Sequence, residues 1–248
     1  MARWIFIGLF LAYYIVMAAS SYLSYDKIVA AVLAGRMSRV RVYLGQVIGM
    51  AVPSAALLAL AAFGVFSFQE LGLSRLAIDS NAGLVIPAAI LYAAYLVYLV
   101  FSFVSMRRNA AQGRFTQGIP DRMRALYPAT KKEKRVWVAV AICVGITEEL
   151  LFRGLLIGAV RGLLPAFPVA AILGIATLLF AAGHLYQGLR RAAAPAFIGL
   201  LLGVCFLAFG SLLPVILVHI LQDVCAVFVL EMQPDLPNQD KTRQIRRK

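Results

Sequence analysis

Charged side chains are scarce in this chain of 248 residues: they make up 14% of it, against 62% hydrophobic residues. The chain has 11 Asp and Glu against 24 Lys and Arg, and only two histidines. A water-soluble domain cannot bury this much apolar surface, whereas a polytopic membrane protein exposes it to lipid. Because no change in composition divides the chain, we expect a single integral membrane domain over 1–248, an all-α bundle of transmembrane helices.

Cysteine is also rare, and the three cysteines form no Cys-x-x-Cys pair: they are Cys143, Cys205 and Cys225. Their apolar surroundings predict free, buried thiols.

Seven stretches are long and apolar enough to be membrane spans, which need ~20 mostly apolar residues each. The basic stretch 27–42, between the first two, could be a helix that lies along the membrane interface. The seven predicted spans are 4–23, 43–66, 83–105, 136–160, 166–185, 192–210 and 211–230.

Basic residues are concentrated in alternate connections between these spans. Twenty of them lie in 26–42, 106–135, 190–191 and 231–248. The opposite connections hold only three, Arg3, Arg75 and Arg161. Since Lys and Arg are retained on the cytosolic side, we predict the N-terminus outside and the C-terminus inside, with a basic cytosolic tail at 231–248. We expect the lipid bilayer of a prokaryotic cell membrane as the partner and no nucleic acid, because no aromatic residues interleave with the basic ones.

Six ionisable residues fall inside the apolar stretches of the C-terminal half. Charge at the bilayer centre costs about 2.5–3.5 kcal/mol or more per residue, so such residues are usually paired and functional. They are Glu148, Glu149, Arg153, His184, His219 and Asp223. Carboxylates and imidazoles of this kind are typical of a hydrolytic site.

The spacing of the first three predicts two environments. Glu149 and Arg153 are four residues apart, so we expect them to form an ion pair across one helical turn. Glu148 is about 100° further round the helix and is predicted to point elsewhere, without a local partner. A poorly solvated carboxylate of that kind suits a general base that acts on water. The alternative is that all three residues only lock neighbouring helices together.

Each histidine has a possible partner one helical turn away. Phe180 precedes His184 by four residues, and Asp223 follows His219 by four. Asp223 could orient the imidazole of His219 through a hydrogen bond. A histidine in an apolar helix can instead be a hydrogen-bonded packing residue, so the spacing alone leaves both roles open.

Three motifs follow one another on successive apolar stretches: Glu148-Glu149-x-x-x-Arg153, Phe180-x-x-x-His184 and His219-x-x-x-Asp223. In this order they resemble the CPBP family, the CAAX-protease and bacteriocin-processing (abortive-infection) group of intramembrane endopeptidases. The resemblance covers residues 128–225, which we expect to form the catalytic core. The preceding helices resemble the family only in being apolar.

The resemblance implies a role for each motif residue. Glu148 and His184 would activate the attacking water. His219 and Asp223 would stabilise the oxyanion of the tetrahedral intermediate. The family most often has Asn in the last position, and an ionised Asp cannot donate a hydrogen bond, so orientation of His219 is the alternative role of Asp223. The supporting residues would be Glu149, Arg153 and Phe180.

The implied substrate is a peptide or protein. A lipidated tail, a leader peptide and a loop of a membrane-anchored protein would all suit. The two histidines, Glu148 and Asp223 could also form a four-ligand zinc shell. No short zinc signature such as H-E-x-x-H is present, so we expect no cofactor, with zinc as the alternative.

Two other classes of function remain open at this point. One is a proton-coupled transporter or channel, because Glu, Asp and His within spans also form proton relays. The other is a catalytically idle membrane scaffold or immunity protein. The absence of an internal repeat, which many transporters have, favours hydrolysis over transport.

The predicted spans place two site residues at different depths. His184 lies near the cytosolic end of 166–185 and Glu148 near the middle of 136–160, a difference of more than about 10 Å at 1.5 Å per residue. Either residues 130–141 lie along the interface and the helix begins later, or the spans are tilted or broken.

Overall fold

The computed structural model describes residues 1–74, 82–112 and 121–230, so the predicted tail at 231–248 lies outside the described residues. Within these ranges the chain is all α, as predicted, and contains no strand. Four helices are long and apolar enough to cross a membrane. The helices are α1 (Ala2–Leu33), α2 (Arg39–Ala62), α3 (Ala82–Ala111), α4 (Asp121–Arg124), α5 (Lys131–Glu149), α6 (Val160–Leu163), α7 (Val169–Ala182), α8 (Leu189–Phe209) and α9 (Leu212–Leu230).

Each of the seven predicted spans coincides with helix in the structure. The last two are α8 and α9, and the tight connection expected between them is formed by Gly210, whose φ of +61° lies in the left-handed region that glycine favours. α7 and α9 are apolar but shorter within the described residues. The number of helices that cross the membrane and their orientation stay predictions.

The predicted interfacial helix in 27–42 is wrong. Helix α1 continues to Leu33, and α2 begins at Arg39 after Ser38, whose hydroxyl accepts the backbone N–H of Arg41 at 3.2 Å. The reason is packing: Tyr25 and Val29 are buried against Ala125, so this part of α1 has a protein partner.

The fourth predicted span lies in one continuous helix, in which α5 is followed by a π-helix from Leu150 to Ala159 and then by α6. A capping box of Thr130 and Glu133 starts α5. From Lys131 to the end of α6 the helix is roughly 50 Å long, more than the ~30 Å hydrocarbon core. Residues 130–141 are therefore not a separate segment before the helix, because the helix already begins at Lys131. Extended π-helices are rare, and π-bulges often occur at functional sites.

A close approach of α5 to α9 places the two carboxylates beside a histidine. At Gly145, an added Cβ would lie 2.8 Å from Cγ1 of Ile220 and 3.4 Å from its backbone nitrogen. Only glycine lets the helices approach this closely, and His219 directly precedes Ile220. Glu148 and Glu149 follow Gly145 by about one turn, so they face α9 at the level of His219.

Residues 66–72, which follow α2, form a plug that closes the end of the bundle opposite to Asp223. Phe66 and Leu71 are buried, and the Gly72 carbonyl accepts the backbone N–H of Leu212 at 2.9 Å. An added Cβ at Gly154 would lie 2.9 Å from the Leu71 carbonyl oxygen. Since Leu212 begins α9 and His219 lies two turns later, this plug sits at the far end of the helices from Asp223.

Candidate active site

The predicted ion pair between Glu149 and Arg153 is present and sealed from solvent. The two residues are 0% and 1% exposed, and Arg153 Nη1 donates to Glu149 Oε1 at 2.6 Å. Arg153 Nη2 donates to the Gly199 carbonyl at 3.2 Å, and the guanidinium carbon lies 4.8 Å from the centroid of the Phe180 ring. The arginine thereby joins the π-helix to α8 and α7, and its charge is fully compensated.

Glu149 also holds His219, a contact that the sequence did not predict. His219 Nδ1 lies 2.6 Å from Glu149 Oε1, the oxygen that also accepts from Arg153. A carboxylate paired with arginine is an acceptor, so Nδ1 carries the proton and donates. This hydrogen bond fixes the imidazole and turns Nε2 to the other side.

Nε2 of His219 faces two further carboxylates. Glu148 Oε2 and Asp223 Oδ2 each lie 3.7 Å from it, which is ion-pair distance but longer than a hydrogen bond. Glu148 thus points to a different partner from Glu149, and that partner is not local: the imidazole ring of His219 on α9 lies between the two glutamates. Asp223 forms no direct hydrogen bond with His219. Gaps of this length between polar atoms are often bridged by water.

His184 lies just after α7, where the chain turns into a 3-10 helix, Leu185–Gln187. Its Nδ1 donates to the Phe180 carbonyl at 2.9 Å. A carbonyl can only accept, so Nδ1 carries the proton and Nε2 presents a free lone pair. The Phe180 ring lies between the two histidines, with centroids 5.0 Å from His184 and 6.2 Å from His219.

All seven residues predicted from the three motifs thus meet in one cluster around Phe180. The cluster is closed on the side of Glu149 and Arg153 and open on the other. The Asp223 side chain is 32% exposed and that of Glu148 is 10% exposed. A reacting group can therefore reach Glu148 from the side of Asp223.

Two tyrosines of the cluster were missed by the sequence analysis. Tyr14 of α1 is buried, with its ring 5.0 Å from that of Phe152, and Tyr186 stacks 6.4 Å from His184. Burial raises the pKa of the Tyr186 phenol above its ordinary value, so this hydroxyl is neutral. The chain has ten tyrosines, and no spacing distinguishes these two from the rest.

A metal would have to use the histidine nitrogens that remain free. Both Nδ1 atoms already donate to protein oxygens, which leaves only the two Nε2 atoms as possible nitrogen ligands. In the described part of the chain, no group of three His, Cys, Asp or Glu side chains is arranged to hold a metal ion. Water activation without a metal stays a prediction, with zinc as its alternative.

Comparison with known proteins found one family to which the region of this cluster is similar. Residues 132–225 match the family model described as type II CAAX prenyl endopeptidase Rce1-like. Comparisons with curated proteins and with solved structures gave no significant match. The matched region begins in the first turn of α5 and ends in α9, so it includes all seven motif residues. The region that forms the cluster is therefore similar to the Rce1-like type II CAAX prenyl endopeptidase family, in agreement with the CPBP resemblance of its motifs.

Proposed function

We propose that this protein is an intramembrane endopeptidase that hydrolyses a peptide bond through a water activated by Glu148 and His184. The observation that carries the proposal is the fixed imidazole of His219, whose Nε2 faces Glu148 and Asp223 at 3.7 Å each. Glu148 as the base and the imidazole of His219 as a cationic donor thus lie next to each other, beside the partly exposed Asp223.

In the first step Glu148 removes a proton from the water as its oxygen attacks the carbonyl carbon. The free Nε2 lone pair of His184 accepts the second hydrogen of that water and holds it in place. General-base catalysis of this kind typically contributes ~10²–10⁴-fold. Glu148 then returns the proton to the leaving amine as the C–N bond breaks.

The oxyanion formed in the first step needs hydrogen-bond donors. When the imidazole of His219 is protonated, its Nε2–H points into the space between Glu148 and Asp223, where it can donate to that oxygen. Such a donor acts in a dry site and contributes more than it would in water. Asp223 balances the charge of the imidazolium.

We further propose that all seven apolar helices span the cell membrane of a prokaryote, with the N-terminus outside and the C-terminus inside. The whole chain is then one membrane domain, with residues 128–225 as its catalytic core and 231–248 as a cytosolic tail.

Since the cluster opens at the end of the helices remote from the plug, cytosolic or membrane-anchored substrates can reach it. The family description names prenylated CAAX substrates, which supports a lipidated protein as the substrate class. We expect the reaction to need no metal.

The test compares protein ends in membranes of cells that express the wild type or Glu148→Gln. New N- or C-terminal peptides that appear only with the wild type identify the cleaved proteins and support the proposal. Asp26→Asn serves as the control, because it also removes one carboxylate charge but at a side chain that is 82% exposed. Identical sets of peptide ends with the wild type and Glu148→Gln would refute peptide hydrolysis by this site.

A further inference from the structure

Tyr14 brings the N-terminal helix α1 to the cluster, at the end of α7. It is 4% exposed, and its ring packs edge-on against Phe152 at 5.0 Å. An added Cβ at Gly183 would collide with the Tyr14 hydroxyl, and the backbone N–H of Gly183 faces the phenolic oxygen. Gly183 directly precedes His184, so the Tyr14 hydroxyl lies beside the turn that carries this histidine.

The hydroxyl proton of Tyr14 is not used within the described residues. Buried tyrosine hydroxyls usually find a hydrogen-bond acceptor. The neighbouring Tyr13 does so, since its hydroxyl donates to the Gly49 carbonyl at 2.8 Å. In the described ranges, Tyr14 donates to no carbonyl or carboxylate, so its proton is available to a molecule that enters beside Glu148.

The cluster also has few donors for an oxyanion. Asp223 cannot donate while it is ionised, and the two Nδ1–H groups point to protein oxygens. On the side of α9, Nε2–H of His219 is the donor that remains among the motif residues. A neutral phenol is a good additional donor, because it can approach a negative oxygen without bringing in a charge.

We propose that Tyr14 is a further catalytic residue, whose hydroxyl donates a hydrogen bond to the oxyanion from the side of α1. The inference rests on the proposed function. In a reactive complex the attacked carbon lies about 3–3.5 Å from the water held by Glu148 and His184. The Tyr14 hydroxyl lies at Gly183, next to His184, and Nε2 of His219 lies 3.7 Å from Glu148, so an oxyanion formed at that carbon would lie between the two donors.

The test uses purified full-length protein in lipid vesicles and, as substrates, the uncut membrane proteins of cells that express Glu148→Gln. The appearance of new peptide ends is followed by mass spectrometry over a dilution series of these substrates. Tyr14→Phe keeps the ring and its packing and removes only the donor. We expect kcat and kcat/KM to fall together by ~10²-fold, as for an interaction made only in the transition state.

Tyr13→Phe is the matched control on the same helix and should cut at the wild-type rate. The unfolding temperature of Tyr14→Phe should stay at that of the wild type, whereas Tyr13→Phe, which loses the hydrogen bond to the Gly49 carbonyl, should be slightly less stable. Asp223→Asn adds an N–H donor on the opposite side, so in the Tyr14→Phe background it should recover part of the lost rate.

Three outcomes would overturn the inference while the proposed function stands. They are a Tyr14→Phe rate within twofold of wild type, an equal loss with Tyr13→Phe, and a loss that accompanies a lower unfolding temperature. If the wild type itself produces no new ends from these substrates, the proposed function fails and the inference fails with it.

Discussion

His219 and Arg153 bind the same oxygen atom: imidazole Nδ1 and guanidinium Nη1 each lie 2.6 Å from Oε1 of Glu149. The other oxygen, Oε2, is buried without a hydrogen-bond partner among the described residues. One carboxylate oxygen therefore joins α9 to the π-helix and also sets the direction of the His219 ring. Stability and the geometry of the site depend on the same contact.

Arg153→Ala should lower both stability and activity. It leaves Glu149 buried without its positive partner, and breaking a buried pair typically costs ~3–5 kcal/mol. The double variant Glu149→Gln with Arg153→Met should recover much of the stability, because the glutamine keeps its shape without a charge. Thermal unfolding in detergent measures both effects. Arg161→Ala, at an exposed arginine, is the control. A double variant no more stable than Arg153→Ala would show that the two residues do not stabilise each other.

Glu148→Gln should abolish hydrolysis and leave the fold intact. Glutamine matches the shape of glutamate but cannot accept a proton from water, and loss of a general base costs ~10²–10⁴-fold in rate. Cleavage rates and unfolding temperatures of the purified variant check both parts. A variant that cuts at near wild-type speed would exclude Glu148 as the base.

Asp223→Asn should be tolerated, and Asp223→Ala should be strongly impaired. Asparagine is the commoner family residue at this position and can donate to the oxyanion, and one such donor contributes ~10²–10³-fold. The structure adds that Glu149, not Asp223, holds Nδ1 of His219. Cleavage rates of the two variants decide the matter: an asparagine variant as inactive as the alanine variant would mean that the negative charge itself is required.

Exhaustive chelation should leave the purified enzyme active if Glu148 activates the water without a metal. The metal content is measured on the same sample, because chelators reach a membrane site slowly. Activity that is lost on chelation and restored by zinc alone would contradict the prediction and assign the Nε2 atoms of the two histidines as ligands.

Gly145→Ala should reduce activity, because its Cβ would lie 2.8 Å from Ile220 and force α5 away from α9. The contact between Glu149 and His219 depends on this approach. Gly174→Ala is the matched control, since nothing lies within 4 Å of the added Cβ. Ile220→Ala in the Gly145→Ala background should restore much of the cleavage rate. A rate unchanged by Gly145→Ala would show that the helices adjust without moving the site.

The sequence was sufficient to predict the apolar helices and the seven motif residues of the cluster, but not its two tyrosines or every contact between its members. The spacing of Glu149 and Arg153 predicted their ion pair, because local spacing fixes which residues share a helix face. The bond between Glu149 and His219 joins residues 70 positions apart, and it depends on how α5 and α9 pack. No periodicity in either helix contains that information.

The position of α1 could not be predicted for a related reason. Its apolar residues fit a membrane-facing helix equally well in any rotation, so nothing indicated that Tyr14 turns inward. The end of α1 was also predicted wrongly: the basic residues in 27–42 are typical of an interfacial helix, but α1 continues to Leu33. The burial of Tyr25 and Val29 against Ala125 requires tertiary structure.

The shared oxygen of Glu149 also limits what the presence of the motifs can reveal about activity. Arg153, Glu149 and His219 join α9 and α8 to the helix that carries Glu149, so a related chain without hydrolytic activity would still need them in order to fold. Glu148 takes no part in that bond. Among related chains, replacement of Glu148 beside an intact Glu149 would therefore mark the members that have become structural or regulatory proteins.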